Sequence, residues 1–229
     1  SSSSSSSSSL CSAKGAVVFL HGSGDTGKNF EYGLRGERMV RSLHEKGVRT
    51  AFPSARPIRY TLAGCVESVW FDRLGMEPSS PEQTETVERS VEQIEGLLDE
   101  LVASGIKASK IAVGGFSMGG GLALQLGLRT KHDLAGVFSM SSYLCDEAKV
   151  FEKLEGSSSK GDQRPRFWMA HGADDDFVLP SWGQSTSRKL EELGLDVSWR
   201  SYPGLGHSLR SEDELVDLHS FLCTQLQLT

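Results

Sequence analysis

Cysteine is scarce and scattered. The four thiols, Cys11, Cys65, Cys145 and Cys223, lie far apart in a chain of 229 residues and form no C-x-x-C pair. That spacing excludes a zinc framework and a disulfide-dense scaffold, and it points to a reducing compartment, so a cytoplasmic location is expected. Long hydrophobic runs are missing as well. Stretches such as Ala16 to Leu20 fall far short of the roughly 20 apolar residues a membrane-spanning helix needs. Basic charge is in deficit: 24 Lys and Arg against 30 Asp and Glu give a net charge of −6. No basic stripe is available to neutralise phosphates, so nucleic acid is not an expected partner. What is present is 38% apolar residues, enough at this length for a large core without cross-links. A soluble globular protein, monomer or weak dimer, is expected.

The chain begins with nine serines, Ser1 to Ser9. They carry neither the basic nor the apolar region of a secretory signal, and they have nothing to bury. Residues 1–13 are expected to be a disordered Ser-rich segment, and residues 14–229 to form the folded domain. Gly156 to Gly161 reads as a surface loop.

From Lys14 onward, short apolar runs alternate with helical patterns. Ala16 to Leu20, Val48 to Phe52, Lys110 to Val113, Leu134 to Met140, Arg166 to Met169 and Val197 to Tyr202 read as strands. Helices are expected over Asn29 to Glu45, Glu82 to Ser104, Gly119 to Arg129, Ser181 to Leu193 and Glu212 to Leu226. Ser54 to Asp72, with Pro57 and Gly64, reads as a long loop. The alternation predicts the α/β class: a mostly parallel central sheet with helices on both faces. Reactive groups in such folds sit at the carboxyl ends of strands.

After Lys110 to Val113 comes Gly114-Gly115-Phe116-Ser117-Met118-Gly119-Gly120. It contains G-x-S-x-G. A serine at a sharp strand-to-helix turn projects its hydroxyl into a cleft, and the flanking glycines let the chains approach closely. Strand–turn–helix context makes the short pattern informative. A serine hydroxyl needs a base to take its proton. Of the six histidines, His207 follows a strand and a glycine turn, and it comes after a cluster of acids at Asp174, Asp175 and Asp176. This matches the chain order serine, acid, histidine of α/β-hydrolases. His171 reads as structural. Any of the three aspartates could orient the imidazole. An oxyanion hole needs two backbone N–H groups, and Met118 and Ser23, the latter in His21-Gly22-Ser23-Gly24, are placed to supply them. Leu62 and Val66, with Tyr143 and Leu144, are apolar candidates for the substrate pocket.

Val17 to Gly27, Val69-Trp70-Phe71-Asp72, Gly114 to Gly120, Leu134-Ala135-Gly136-Val137, His171-Gly172-x-x-Asp175 and Gly206-His207 together resemble the acyl-protein thioesterase/lysophospholipase family of α/β-hydrolases. Ser23, Met118 and Trp70-Phe71-Asp72-Arg73 look most like its lysophospholipase-like branch. The resemblance implies Asp175 as the triad acid. It also implies hydrolysis of acyl esters and thioesters, S-acylated proteins possible among them, with no cofactor and no metal. The thioesterase branch has glutamine where this chain has Met118, a change that keeps the N–H and bears on substrate choice. A carboxylesterase favouring short acyl chains is expected. The alternatives are a long-chain acyl-protein thioesterase removing palmitoyl groups, a lysophospholipase, and a binding module on a hydrolase fold.

Overall fold

The computed structural model of the chain describes residues 13–35, 37–155, 164–209 and 211–228. The serine run and the expected loop at 156–161 lie outside the described residues. Strands β1 (Gly15–Leu20), β2 (Val48–Ala51), β3 (Pro57–Tyr60), β4 (Cys65–Ser68), β5 (Ile111–Phe116), β6 (Gly136–Met140), β7 (Arg166–Gly172) and β8 (Val197–Tyr202) alternate with helices. The helices are α1 (Gly27–Arg35), α2 (Arg38–Glu45), α3 (Thr84–Ala103), α4 (Met118–Gly127), α5 (Lys149–Glu155), α6 (Pro180–Glu192) and α7 (Glu212–Leu226). Six strands form one sheet in the order β2-β1-β5-β6-β7-β8, every neighbouring pair parallel.

Strand alternation builds two cores. Ala16, Val18, Leu20, Ile111, Val113, Val137, Phe167 and Met169 point to one side, where α3, α4 and α6 cover them. Val17, Phe19, Ala112, Phe138, Met140, Trp168 and Ala170 point to the other, under α1, α2 and α7. Both sheet faces are therefore apolar, which is why these strands read as unbroken hydrophobic runs.

Two expectations change. The region 54–72 holds an antiparallel hairpin, β3 with β4, pairing Tyr60 with Cys65. Pro57 opens the hairpin, a position where a missing N–H is tolerated, and Gly64 closes the turn at φ 70°. The helix expected over 29–45 is two helices, because Glu37 is extended at φ −73°, ψ 137°. Its N–H closes a turn on the Leu34 carbonyl at 3.0 Å.

α7 begins at an N-cap, Ser211, whose hydroxyl oxygen accepts the Glu214 N–H at 3.2 Å. The S-x-x-E pattern is that of a capping box, yet the Glu214 carboxyl is fully buried and neither oxygen has a hydrogen-bond partner among the described residues. Burial pushes it up to about 7. Its folded value thus exceeds its unfolded value, so the folded protein holds a proton that the unfolded chain releases above pH ~4.5. Stability from this group is fully present below that pH and is lost as pH rises through about 7. Denaturant unfolding of the wild type against Glu214→Gln should show the wild type losing on the order of 3 kcal/mol relative to the variant across this window. A pH-independent difference counts against the assignment.

Candidate active site

β5 ends at Phe116 and α4 begins at Met118, leaving Ser117 alone at the corner. Its backbone lies at φ 54°, ψ −124°, a region that residues with a β-carbon rarely occupy and that costs strain. The turn is tied to the neighbouring strand: the Ser117 N–H donates to the Met140 carbonyl at 2.8 Å. It also presses α4 against the end of β1. A β-carbon on Gly119 would sit 2.2 Å from the Leu20 carbonyl oxygen, and one on Gly115 2.4 Å from the same atom.

The Ser117 hydroxyl donates to His207 Nε2 at 3.1 Å, and His207 Nδ1–H donates to Asp175 Oδ2 at 2.8 Å. Asp174 and Asp176 face solvent, whereas Asp175 is buried. The Asp175 Oδ1 accepts the N–H groups of Phe177 and Val178 at 3.1 and 2.8 Å. His171 supports the same carboxylate from behind. Its Nε2–H donates to the Val178 carbonyl at 2.8 Å and lies 3.3 Å from Asp175 Oδ2. Burial lowers the His171 pKa, so the ring stays neutral with its proton on Nε2. The rings of Phe116 and Phe177 flank His207 at 4.7 and 5.1 Å. His44, His132 and His219 bond instead to Thr50, Asp99 and Ser42.

Ser23 lies in the loop after β1, and its hydroxyl reaches the Met118 sulfur at 3.6 Å. Both residues line one cavity with Ser117. Among the described residues the Ser23 and Met118 N–H groups have no acceptor, which leaves two donors for developing negative charge. His21 holds this loop. Its Nε2 accepts the Ala55 N–H at 3.0 Å, its Nδ1–H meets the Gly22 carbonyl at 2.7 Å, and its own carbonyl accepts the Trp70 indole N–H at 2.8 Å. Burial lowers its pKa, consistent with a neutral ring accepting at Nε2.

The cavity at Ser117 has a volume of about 330 Å³ and is lined by Tyr60, Leu62, Arg73, Met76, Tyr143 and Phe177 among others. Leu62 and Tyr143, two of the four apolar residues offered as pocket candidates, line this cavity. Val66 does not line this cavity: it sits on the outer hairpin strand and is 66% exposed. Leu144 does not line it either. It is buried in the core, its N–H bonded to the Thr186 hydroxyl at 3.0 Å, and it faces a separate small cavity. Arg73 and Phe177 went unassigned by sequence reasoning, although Arg73 ends the Trp70-Phe71-Asp72-Arg73 motif and Phe177 is two residues beyond the buried acid. Among the described residues no group of three or more potential ligands gathers to hold a metal ion.

The sequence model of the phospholipase/carboxylesterase family matches residues 7–226. The chain belongs to the phospholipase/carboxylesterase family of α/β-hydrolases. It is a serine hydrolase of that family. It is 35% identical to mouse lysophospholipase-like protein 1 over 92% of this chain and 87% of that one. It is 34% identical to acyl-protein thioesterase 1 of Gibberella zeae over 92% of this chain and 90% of that one. Its fold superposes on Zea mays acyl-protein thioesterase 2 with a TM-score of 0.81 at 25% identity, covering 95% and 96% of the two chains. Arabidopsis thaliana SOBER1 superposes with a TM-score of 0.80 at 27% identity over 93% and 99%. None of the described helices is long and apolar enough to cross a membrane.

Gly119→Ala should cost roughly 3 kcal/mol or more through overpacking and should also displace the turn, lowering both the melting temperature and labelling of Ser117 by a fluorophosphonate. Asp175→Asn should retain the melting temperature within a few degrees but lose about 10⁴-fold in kcat, because the amide holds the imidazole in the wrong tautomer. Ester turnover near the wild-type rate would remove Asp175 from the site.

Proposed function

We propose that the protein hydrolyses carboxylic acyl esters, and thioesters by the same chemistry, with a preference for short acyl chains. The observation that carries this reading is the continuous hydrogen-bond line from Ser117 through His207 to the buried Asp175, with two N–H groups at its Ser117 end that have no acceptor among the described residues.

Ser117 Oγ attacks the acyl carbonyl carbon while its proton passes to His207 Nε2. The carbonyl π electrons move onto oxygen, and the Ser23 and Met118 N–H groups stabilise that oxyanion. Two donors of this kind contribute roughly 3 kcal/mol each to the transition state. The oxyanion collapses, the bond to the leaving alcohol or thiol breaks, and His207 returns the proton to the leaving atom. A water molecule then gives its proton to the same Nε2 as its oxygen attacks the acyl-enzyme. Collapse releases the carboxylic acid and restores Ser117. Asp175 keeps the ring oriented and offsets the imidazolium charge in both halves. The steps require no cofactor.

The short-chain preference is supported by the cavity walls. Tyr143 crosses the cavity lining with its hydroxyl donating to the Met76 carbonyl, and the Arg73 guanidinium stands beside it. A long chain would gain about 0.8 kcal/mol for each methylene buried in an apolar tunnel, but here it would lie against the Arg73 cation, which it cannot answer with a hydrogen-bond acceptor or a charge. The exposed apolar side chains Leu62 and Phe177 at the cavity favour a second reading, a long-chain thioesterase or lysophospholipase whose acyl chain runs across the surface.

An ester series from acetyl through butyryl and octanoyl to palmitoyl, with a Ser117→Ala control, decides between them. The control should lose about a millionfold in kcat and all fluorophosphonate labelling. Wild-type kcat/KM should peak in the short esters and fall at least tenfold by palmitoyl. A rise through palmitoyl selects the second reading. An intact protein that neither labels nor turns over any ester is a binding module instead.

A further inference from the structure

Arg73 is an enclosed cation that forms no ion pair among the described residues. It is 8% exposed and lines both the cavity at Ser117 and the smaller one next to it. Its guanidinium lies 5.2 Å from the Phe71 ring centroid and 4.6 Å from that of Tyr143. Its side-chain hydrogen bond goes to the Tyr143 hydroxyl, a neutral group whose own proton is donated to the Met76 carbonyl. Among the described residues no carboxylate forms an ion pair with Arg73. The adjacent Asp72 carboxylate is turned to the Thr61 N–H and hydroxyl, at 2.7 and 2.6 Å. Burial pushes the neighbouring Tyr60 and Tyr143 hydroxyls and the Cys145 thiol up, Tyr143 to about 12, so none of these three meets Arg73 with a negative charge near pH 7.

The chain treats another enclosed arginine differently. The Arg129 side chain is also 8% exposed, and it meets the Glu88 carboxylate at 2.8 Å. Taking a guanidinium out of water is costly unless an anion answers it. Ring faces offset only part of that cost. Among the described residues the Arg73 guanidinium bonds to the Tyr143 hydroxyl alone, and Arg73 lines both cavities. A planar fork of N–H donors matches a carboxylate in two-point geometry.

We propose that Arg73 sets the specificity of this site, and that the preferred substrates carry an anionic group, a carboxylate at the far end of a short acyl chain. The proposal rests on the hydrolase reading above and names its substrate class: half-esters and half-thioesters of short dicarboxylic acids. The carbonyl at Ser117 reacts as already written, and Arg73 binds the second carboxylate without entering any bond change. A phosphate on the alcohol side presents the same anion chemistry from another source. The acyl side is favoured because Arg73 and Tyr143 line the same cavity as Ser117, Ser23 and Met118, the groups proposed to hold the acyl carbonyl.

The test compares kcat/KM for the phenyl monoester of adipic acid, the phenyl ester of hexanoic acid and the corresponding ω-amino ester, with spontaneous hydrolysis subtracted. A second pair compares glycerol monoacetate with its phosphate-bearing counterpart. Wild type should prefer the anionic acyl ester over the neutral one at least tenfold, and should disfavour the cationic one. Arg73→Met should reverse that order, and Arg73→Lys should retain part of it. The ratio within each variant is the readout, so a general loss of activity does not obscure it. Should Arg73→Met not fold, the wild-type ratios decide alone. An Arg73-dependent preference confined to the phosphate pair keeps anion recognition and moves its source to the alcohol. Equal rates for neutral and anionic esters in both pairs overturn the proposal while leaving the hydrolase reading intact. Absence of all turnover and of fluorophosphonate labelling overturns the hydrolase reading itself.

Discussion

The structure depends on one close approach, that of the β5–α4 corner to the end of β1. The backbone at Gly115 and Gly119 lies so near the Leu20 carbonyl that a single methyl group at either position has no space. That approach forces the Ser117 backbone to positive φ. It also places the loop following β1, with Ser23, against Met118. Ser117 and the Ser23 and Met118 N–H groups are therefore positioned by one packing event. The strain at Ser117 is sustained by what surrounds it: a backbone bond to β6, a fully buried helix α4 and a sheet apolar on both faces.

Buried ionisable groups are treated in three ways. Asp175 is fully answered, accepting two N–H groups on one oxygen and His207 on the other, with His171 close behind. Glu214 is unanswered and responds by holding its own proton near neutrality. Arg73 has neither escape, since guanidinium does not release its proton in proteins, and its partners are neutral. The contrast is what makes the cavity wall chemically asymmetric: apolar at Leu62, Met76 and Phe177, cationic at Arg73.

Much of the fold was legible because buried parallel strands carry a strong local signature. All six strands of the sheet were found close to their expected bounds. The hairpin β3–β4 was not, because Pro57 and Gly64 interrupt the run, and because its pairing is between two short exposed segments with little periodicity. The helix break at Glu37 was equally silent, a matter of one residue's backbone rather than of composition. At the site, Ser117 and His207 stood out through glycine-rich surroundings and chain order. Selection of Asp175 from three consecutive aspartates required a resemblance, since neighbours in sequence share composition and differ only in which side of the turn they occupy. The pocket was half legible. Leu62 and Tyr143 line it, whereas Val66 points outward and Leu144 inward to the core. Apolarity says that a side chain seeks cover, not which cover it finds.

The α/β class, the strand that leads into Ser117, and the chain order of Ser117, Asp175 and His207 are all legible along the linear chain. These are local facts, carried by periodicity, glycine placement and position along the chain. Only the tertiary structure decided which carboxylate is enclosed, which N–H groups are left without acceptors, and that a lone arginine faces the space beside the nucleophile. Those properties are set by residues far apart in the chain. Arg73 and Tyr143 are 70 positions apart and Ser117 and His207 are 90. Burial and partnership are properties of a folded neighbourhood, and no local stretch of chain contains them.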